Sequence, residues 1–292
     1  MKSFSDYNPA VTASYFLLTV GISMFSMNPV ILLLSLAGAL SFDIFYGVGK
    51  RLRSHLSFIL LFFGISFVNL LFSHIGVTVL FVLNDNPVTL ESLIYGIASA
   101  AAVISSLYWF RSFSLIITSD KLLYLFGGLS PKFSLVLSMA LRYIPLFQSK
   151  AKKVKLAQKA QGLYNDGNIA DSAKGNIRIF SAMITWALEK GIITSDSMAA
   201  RGYGTEKRTH FSLYRFTSAD FILLSVQLSL FVGVCVFLAL GRLSFTYYPV
   251  FSPPPLTPGA AVCYFLYCIL VFIPSIVNAE ESIRWKSLVS KI

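Results

Sequence analysis

Ala157-Gln158-Lys159-Ala160-Gln161-Gly162 and Ser197-Met198-Ala199-Ala200-Arg201-Gly202-Tyr203-Gly204 each close a helix-like run, and their stop glycines, Gly162 and Gly202, stand 40 residues apart. Before the first of them, Phe147, Ala151, Val154, Ala157 and Ala160 recur three or four apart, which places them on one helical face. Lys150, Lys152, Lys153, Lys155 and Lys159 cover the rest of that run. Gly162 stops the helix because glycine readily takes the left-handed conformation just past a helix end. Leu163–Asn168, with Asn165-Asp166-Gly167, reads as a turn. A second helix is predicted from about Ser172 to Ala200, with Phe180, Ile184, Ala187, Leu188 and Met198 on its apolar side, and Gly202 stops it in the same way. Two apolar runs in this region, Phe133–Leu141 and Ile177–Leu188, are too short to span a bilayer and predict interfacial or buried helices. Pro145 permits a kink near the start of the first helix.

Around this block the chain is apolar. Of its 292 residues 55% are hydrophobic and 13% charged, where soluble domains carry about 25% charged residues. Apolar runs of spanning length predict membrane helices near Ala10–Met27, Pro29–Tyr46, His55–Ile75, Leu93–Thr118, Phe221–Leu240 and Ala260–Val277. The first two are short and broken apart at Asn28-Pro29, so they are either two crossings or one re-entrant pair. With Lys2 and Asp6 at the start and no small-residue cleavage site, the first is expected to be an uncleaved span. The expected class is an all-α membrane protein of about six transmembrane helices plus a cytosolic or interfacial coupling hairpin of two long helices. Three segments follow: 1–118 and 219–292 in the membrane, 119–218 outside it.

The net charge of +11 is placed unevenly. Residues 119–218 hold 15 Lys and Arg against 6 Asp and Glu, Lys50, Arg51 and Arg53 follow the second span, and Arg284, Lys286 and Lys291 lie in the last ten residues. By contrast Gly76–Ser92 carries Asp85 and Glu91 with no Lys or Arg, and Gly241–Gly259 only Arg242. Basic bias of short loops marks the cytoplasmic side, so both termini and the central block are expected inside the cell. Topology and attraction to anionic lipid account for most of this charge, and no groove-reading or base-stacking motif points to nucleic acid. Asp43, Arg111, Asp220 and Glu280 all fall near predicted span ends, and the two halves show no mirrored hydropathy, which argues against a secondary transporter or pump. The small tract Gly96-Ile97-Ala98-Ser99-Ala100-Ala101-Ala102 lets helix backbones approach closely, within this chain or against a partner. The five prolines of Tyr247–Gly259 predict a stiff connector.

No chemistry is legible. Gly47-Val48-Gly49-Lys50 lacks the first glycine and the final hydroxyl residue of a phosphate loop, and His55, His74 and His210 are scattered. Cys235, Cys263 and Cys268 have no metal-ligand spacing and read as apolar filling. No catalytic residue, metal or cofactor is expected.

Each tripeptide taken singly is ordinary helix-ending chemistry; the pair says more. Arg201 stands at a helix tip with five guanidinium donors to offer an acidic groove, and Ala199 and Ala200 leave that tip narrow. Together, Leu141-Arg142-Tyr143-Ile144-Pro145, the Ala160-Gln161-Gly162 stop and the Met198-to-Gly204 run Met-x-x-Arg-Gly-Tyr-Gly resemble the transmembrane T component of energy-coupling factor transporters. The likeness covers nearly the whole chain in layout and is most specific in residues 141–204. It implies a non-catalytic subunit of an ATP-driven bacterial importer for vitamins or other micronutrients, multi-pass in the plasma membrane. It also implies that Ala160-Gln161-Gly162 and Ala200-Arg201-Gly202 dock two cytosolic ABC ATPase subunits, supported by Arg142, Pro145, Tyr203 and Gly204, while the membrane part holds a substrate-binding S component. Gln161 stands where that family's pattern has Arg. Two other classes remain: a conventional ABC importer permease, for which the outer loops are short and no Glu-Ala-Ala-type docking loop is visible, and a lipid-phosphate enzyme using Arg142, Arg178 and Arg201 as clamps with Glu189 or Asp196 as acid or base.

Overall fold

The computed structural model describes residues 3–45, 52–73, 76–83, 86–164, 169–204, 214–243, 245–248, 251–255 and 257–290. The chain divides into two units, Met1–Lys121 with Tyr214–Ile292, and Leu122–Leu213.

In the first unit two Asn-Pro pairs open the first two helices alike. Asn8 accepts the Ala10 N–H and Pro9 begins α1 (Pro9–Phe25); Asn28 accepts the Val30 N–H and Pro29 begins α2 (Pro29–Phe45). Proline fits the first helical position because its missing N–H would have had no partner there, and the Asn side chain satisfies one of the remaining free donors. Each helix has 17 residues, the lower edge of spanning length. Four others are long and apolar enough to cross a bilayer: α3 (Leu52–Phe72), α4 (Leu90–Ile116), α8 (Ser218–Ala239) and α9 (Pro258–Val289). The all-α membrane class read from the sequence is what the fold displays. Its one departure among the described residues is a two-stranded antiparallel hairpin, β1 (Val79–Leu83) and β2 (Asn86–Thr89), in a stretch read as loop.

Lipid supplies no hydrophobic force between helices, so close fit and internal hydrogen bonds hold this unit together. Tyr15 meets Phe4 and Trp109 edge-on at 5.3 and 6.0 Å, and Phe16 meets Phe42 at 6.2 Å. Trp109 Nε1 donates to Ser35 Oγ at 3.0 Å, the Tyr15 hydroxyl to the Val271 carbonyl at 3.0 Å, and Gln227 Nε2 to Ser14 Oγ at 2.7 Å. The small tract of α4 packs within the chain: a Cβ added at Gly96 would lie 3.0 Å from the Ser66 carbonyl of α3. Gly38 brings α2 so near α9 that an added Cβ would lie 1.8 Å from Val271 Cγ1.

One sequence reading changes and one element is longer than read. The helix read as ending near Val277 continues as α9 to Val289, with Glu280 and Arg284 pairing one turn apart in that extension. His55, read as one of three scattered histidines, lies with Nε2 3.4 Å from Asp43 Oδ2 and Nδ1 2.9 Å from the Tyr108 hydroxyl. Arg111 Nε stands 3.6 Å from the other Asp43 oxygen, and Asp43 is buried. One carboxylate on α2 thus ties α3 and α4. Gly47-Val48-Gly49-Lys50, Arg51, His74, Asp85, Asn165-Asp166-Gly167 and His210 lie outside the described residues.

Gly38→Ala is expected to lower the thermal unfolding midpoint of the detergent-purified chain, because overpacking costs typically about 1–3 kcal/mol. Gly64→Ala, on α3 with nothing within 4 Å of its Cβ position, is expected to hold or raise it, since Ala exceeds Gly in helix propensity by about 1 kcal/mol.

Candidate functional site

Most of α5 (Ser119–Leu129) and all of two long helices make up the second unit. Ser130 caps the first of these, accepting the Phe133 N–H, and Pro131 opens it. It then runs unbroken as α6 (Pro131–Ala160) for 30 residues, through Pro145, joining the apolar run 133–141 to the lysine-rich run that the sequence separated. Pro145 and Arg142 are both exposed, so the missing proline N–H falls on an open face. The second is α7 (Ile169–Ala200), 32 residues.

Their pairing is antiparallel. The Tyr143 hydroxyl lies 2.8 Å from Thr194 Oγ1, and Phe147 meets Trp186 edge-on at 5.3 Å with Lys150 Nζ 5.8 Å above the same indole. Ile179, Met183, Trp186, Ala187, Lys190, Thr194 and Met198 are the partly buried stripe of α7. Ala187 and Met198 were on the expected apolar side; Phe180, Ile184 and Leu188 were too, yet they are 67%, 45% and 65% exposed. The helix carries two apolar stripes, and hydrophobicity alone did not say which one α6 would cover.

Both tips end in the same backbone arrangement. Gly162 has φ 70° and Gly202 φ 72°. The Leu163 N–H donates to the Gln158 carbonyl at 2.9 Å and the Gly162 N–H to Lys159 at 3.0 Å; the Tyr203 N–H donates to Met198 at 3.0 Å and the Gly202 N–H to Ala199 at 3.0 Å. This pair of bonds satisfies carbonyls that a helix end leaves free, and it needs a residue at positive φ. Gly241, at φ 67°, ends α8 with the same two bonds, so the cap alone marks no site. What sets the two hairpin tips apart is their cargo: Ala160-Gln161 at one, Ala200-Arg201 at the other, all four exposed. Among the described residues the Arg201 guanidinium enters no ion pair. Because the helices are antiparallel, Gly162 and Gly202 lie at opposite ends of the hairpin. Measured along α7 the separation is roughly 48 Å.

Each tip has a distinct support. Beside the second, Val136, Met139, Tyr143, Thr194, Met198 and Tyr203 are among the residues lining an open, largely apolar groove of about 570 Å³. Gly204 follows at φ 98°. At the first, Tyr164 folds back on α7, where a Cβ on Gly175 would lie 2.3 Å from its ring. Lys155 Nζ sits 4.5 Å over that ring, the Tyr164 hydroxyl donates to Asn176 Oδ1 at 3.3 Å, and Arg178 Nη1 donates to the Leu163 carbonyl at 3.2 Å. Tyr143 entered only as part of the 141–145 motif, and Tyr164 and Gly175 were not singled out from sequence. A glycine inside an otherwise regular helical pattern was the available signal for the last of them.

These features define a multi-pass helical membrane protein bearing a basic two-helix hairpin. The family model described as CbiQ, cobalt transport protein, matches residues 2–211, and the chain belongs to that family. It is 31% identical over 105 residues to the energy-coupling factor transporter transmembrane protein EcfT 1 of Listeria monocytogenes serotype 1/2a, covering 35% of this chain and 40% of that one. It is 34% identical over 107 residues to EcfT of Listeria innocua (36% and 40%) and 33% identical over 94 residues to EcfT of Lactobacillus helveticus (32% and 34%). The aligned stretch thus spans two fifths or less of each relative's length. The resemblance read in residues 141–204 and these matches agree on the T component.

Gly175→Ala is expected to displace the Tyr164 ring and speed amide exchange at Leu163, while Tyr203 at the other tip keeps its wild-type rate. Hydrogen exchange read by mass spectrometry on the two peptides separates these outcomes.

Proposed function

We propose that this chain is the transmembrane scaffold and coupling subunit of an ATP-driven importer of the energy-coupling factor type. The observation that carries the reading is the pair of identically capped, exposed tips at opposite ends of one hairpin. Ala160-Gln161-Gly162 and Ala200-Arg201-Gly202 each present a narrow end to a separate slot, so they suit two cytosolic ABC ATPase subunits side by side better than one. Arg201 is the stronger anchor, because a hydrogen bond to an ionised partner is about twice as strong as a neutral one, and Gln161 offers only neutral donors and acceptors. Arg142 and Pro145 on α6, and Tyr203 and Gly204 beyond the second tip, support the docking ends. The exposed stripe of Phe180, Ile184 and Leu188 is the surface offered to a membrane-embedded S component or to the membrane boundary, and the basic block 119–218 and both termini lie in the cytoplasm. ATP hydrolysis belongs to the partners and substrate choice to the S component; vitamins, their precursors and trace metals are the substrate class.

Arg201→Glu is expected to weaken ATPase binding at least tenfold, a loss of the order of 1.5–3 kcal/mol for one charge-assisted contact. The ATPases should be lost on co-purification in mild detergent, with membrane insertion and monodispersity of this chain unchanged. Stoichiometric ATPase retained by the variant would refute the docking role. Gln161→Arg is expected to tighten binding to one ATPase subunit and leave the other unchanged, measured by the salt concentration that strips each from the immobilised chain.

A further inference from the structure

The hairpin β1–β2 has a polar, anchored base and an apolar body. At the base Glu91, 2% exposed, accepts the Thr78 hydroxyl at 2.6 Å and the Thr78 N–H at 3.3 Å, while the Leu90 N–H donates to the Thr78 carbonyl at 3.0 Å. Ser92 Oγ donates to the Ser73 carbonyl at the end of α3. On the body, Val77, Val79, Leu80 and Val82 are 65%, 52%, 52% and 62% exposed. An isolated two-stranded hairpin is marginal in water, and an exposed apolar edge invites aggregation. Edges are blunted with charge, Pro or a bulge; this hairpin has Pro87 and an irregular register between Val79 and Phe81, but residues 76–92 contain no Lys or Arg to keep its apolar faces in water. The surface is built for something other than water.

Its neighbours say what that is. The last turns of α3 expose Phe67, Leu71 and Phe72 on a helix with no buried share in its spanning window, an apolar surface that ends close in sequence to the hairpin. At the same level Tyr95 packs against Tyr247 and Tyr248, both at 5.4 Å, and the Tyr248 hydroxyl lies 2.8 Å from Ser73 Oγ. Tyrosine gathers where a span leaves the hydrocarbon, with its ring in lipid and its hydroxyl among headgroups. An open strand edge cannot sink into the hydrocarbon centre, because its backbone groups would go unpaired there. The headgroup boundary takes both demands: water and polar headgroups for the edge, acyl carbon for Val and Leu.

We infer that β1–β2 is an interfacial foot whose apolar side chains seat in the phospholipid headgroup–acyl boundary at the Tyr95–Tyr248 end of the spans. It sets the depth of the α3–α4 pair, to which it is tied through Thr78, Glu91, Ser92 and Ser73, and this holds whether or not the transport reading does.

The test uses the full chain with Val82→Cys, labelled with the polarity-sensitive fluorophore NBD and reconstituted into phosphatidylethanolamine–phosphatidylglycerol vesicles. Wild-type protein taken through the same labelling supplies the background from Cys235, Cys263 and Cys268. The expected result is blue-shifted emission, quenched more strongly by a lipid nitroxide high on the acyl chain than by one near its end; Leu80→Cys should repeat it. Water-like emission unaffected by either nitroxide would overturn the inference. So would stronger quenching by the deep nitroxide, or shielding that arises only when partner proteins are reconstituted with the chain, because a protein would then be the occupant.

Discussion

Tyr143 on α6 and Thr194 on α7 share a hydrogen bond of 2.8 Å, and about one turn further along α6 Phe147 packs edge-on against Trp186. These pairs run in opposite senses along the two helices, and that direction governs what the hairpin can do. Two helices of 30 and 32 residues laid antiparallel place their C-terminal ends as far apart as the hairpin is long. Had they been parallel, Gln161 and Arg201 would have stood at the same end of the hairpin; antiparallel, they stand at opposite ends.

The tips themselves obey a backbone constraint. Carbonyls at a helix end need donors, and the glycines at φ near 70° let the chain reverse and supply them from Leu163 and Tyr203. With backbone demand met locally, the Gln161 and Arg201 side chains are left to other work. The macrodipole adds an asymmetry: a helix C-terminus carries partial negative charge, so Arg201 is favoured where it stands and Gln161 gains little. The two ends are alike in backbone shape, and they differ at the residue before the stop glycine, Gln161 at one and Arg201 at the other, with Lys159 in the last turn of the first. Support differs too, since Tyr164 braces the first end against Gly175 while an apolar groove adjoins the second.

In the membrane unit, polar groups replace the hydrophobic force that lipid cannot supply. Asp43 holds His55 and Arg111 from two other helices, and buried Trp109, Tyr15 and Gln227 each find a partner on a neighbouring helix. A buried ion pair is costly to form and more costly to break by halves, so the Asp43 cluster favours one arrangement of α2, α3 and α4 over looser ones. Its members come from positions 43, 55 and 111, and no local spacing connects them.

The sequence by itself determined the helices. Apolar length, the Asn-Pro pairs at 8–9 and 28–29 and the stop glycines at 162 and 202 are local signals, and the helix ends they mark follow from them because backbone hydrogen bonding is settled within a few residues. It also carried the T-component likeness, since that lies in contiguous motifs. It did not determine which stripe of α7 would be covered, because two stripes of similar hydrophobicity compete and only α6 chooses between them. It read residues 133–141 as a separate short run and allowed a kink at Pro145, whereas α6 runs continuously through both and leaves that proline on an open face. The Asp43–His55–Arg111 cluster and the Tyr164–Gly175 brace were decided by tertiary structure alone, since each joins residues whose meeting depends on how helices are placed, and no periodicity along the chain records that. The β1–β2 hairpin is local, and its β-rich run 79–83 was passed over as part of a loop.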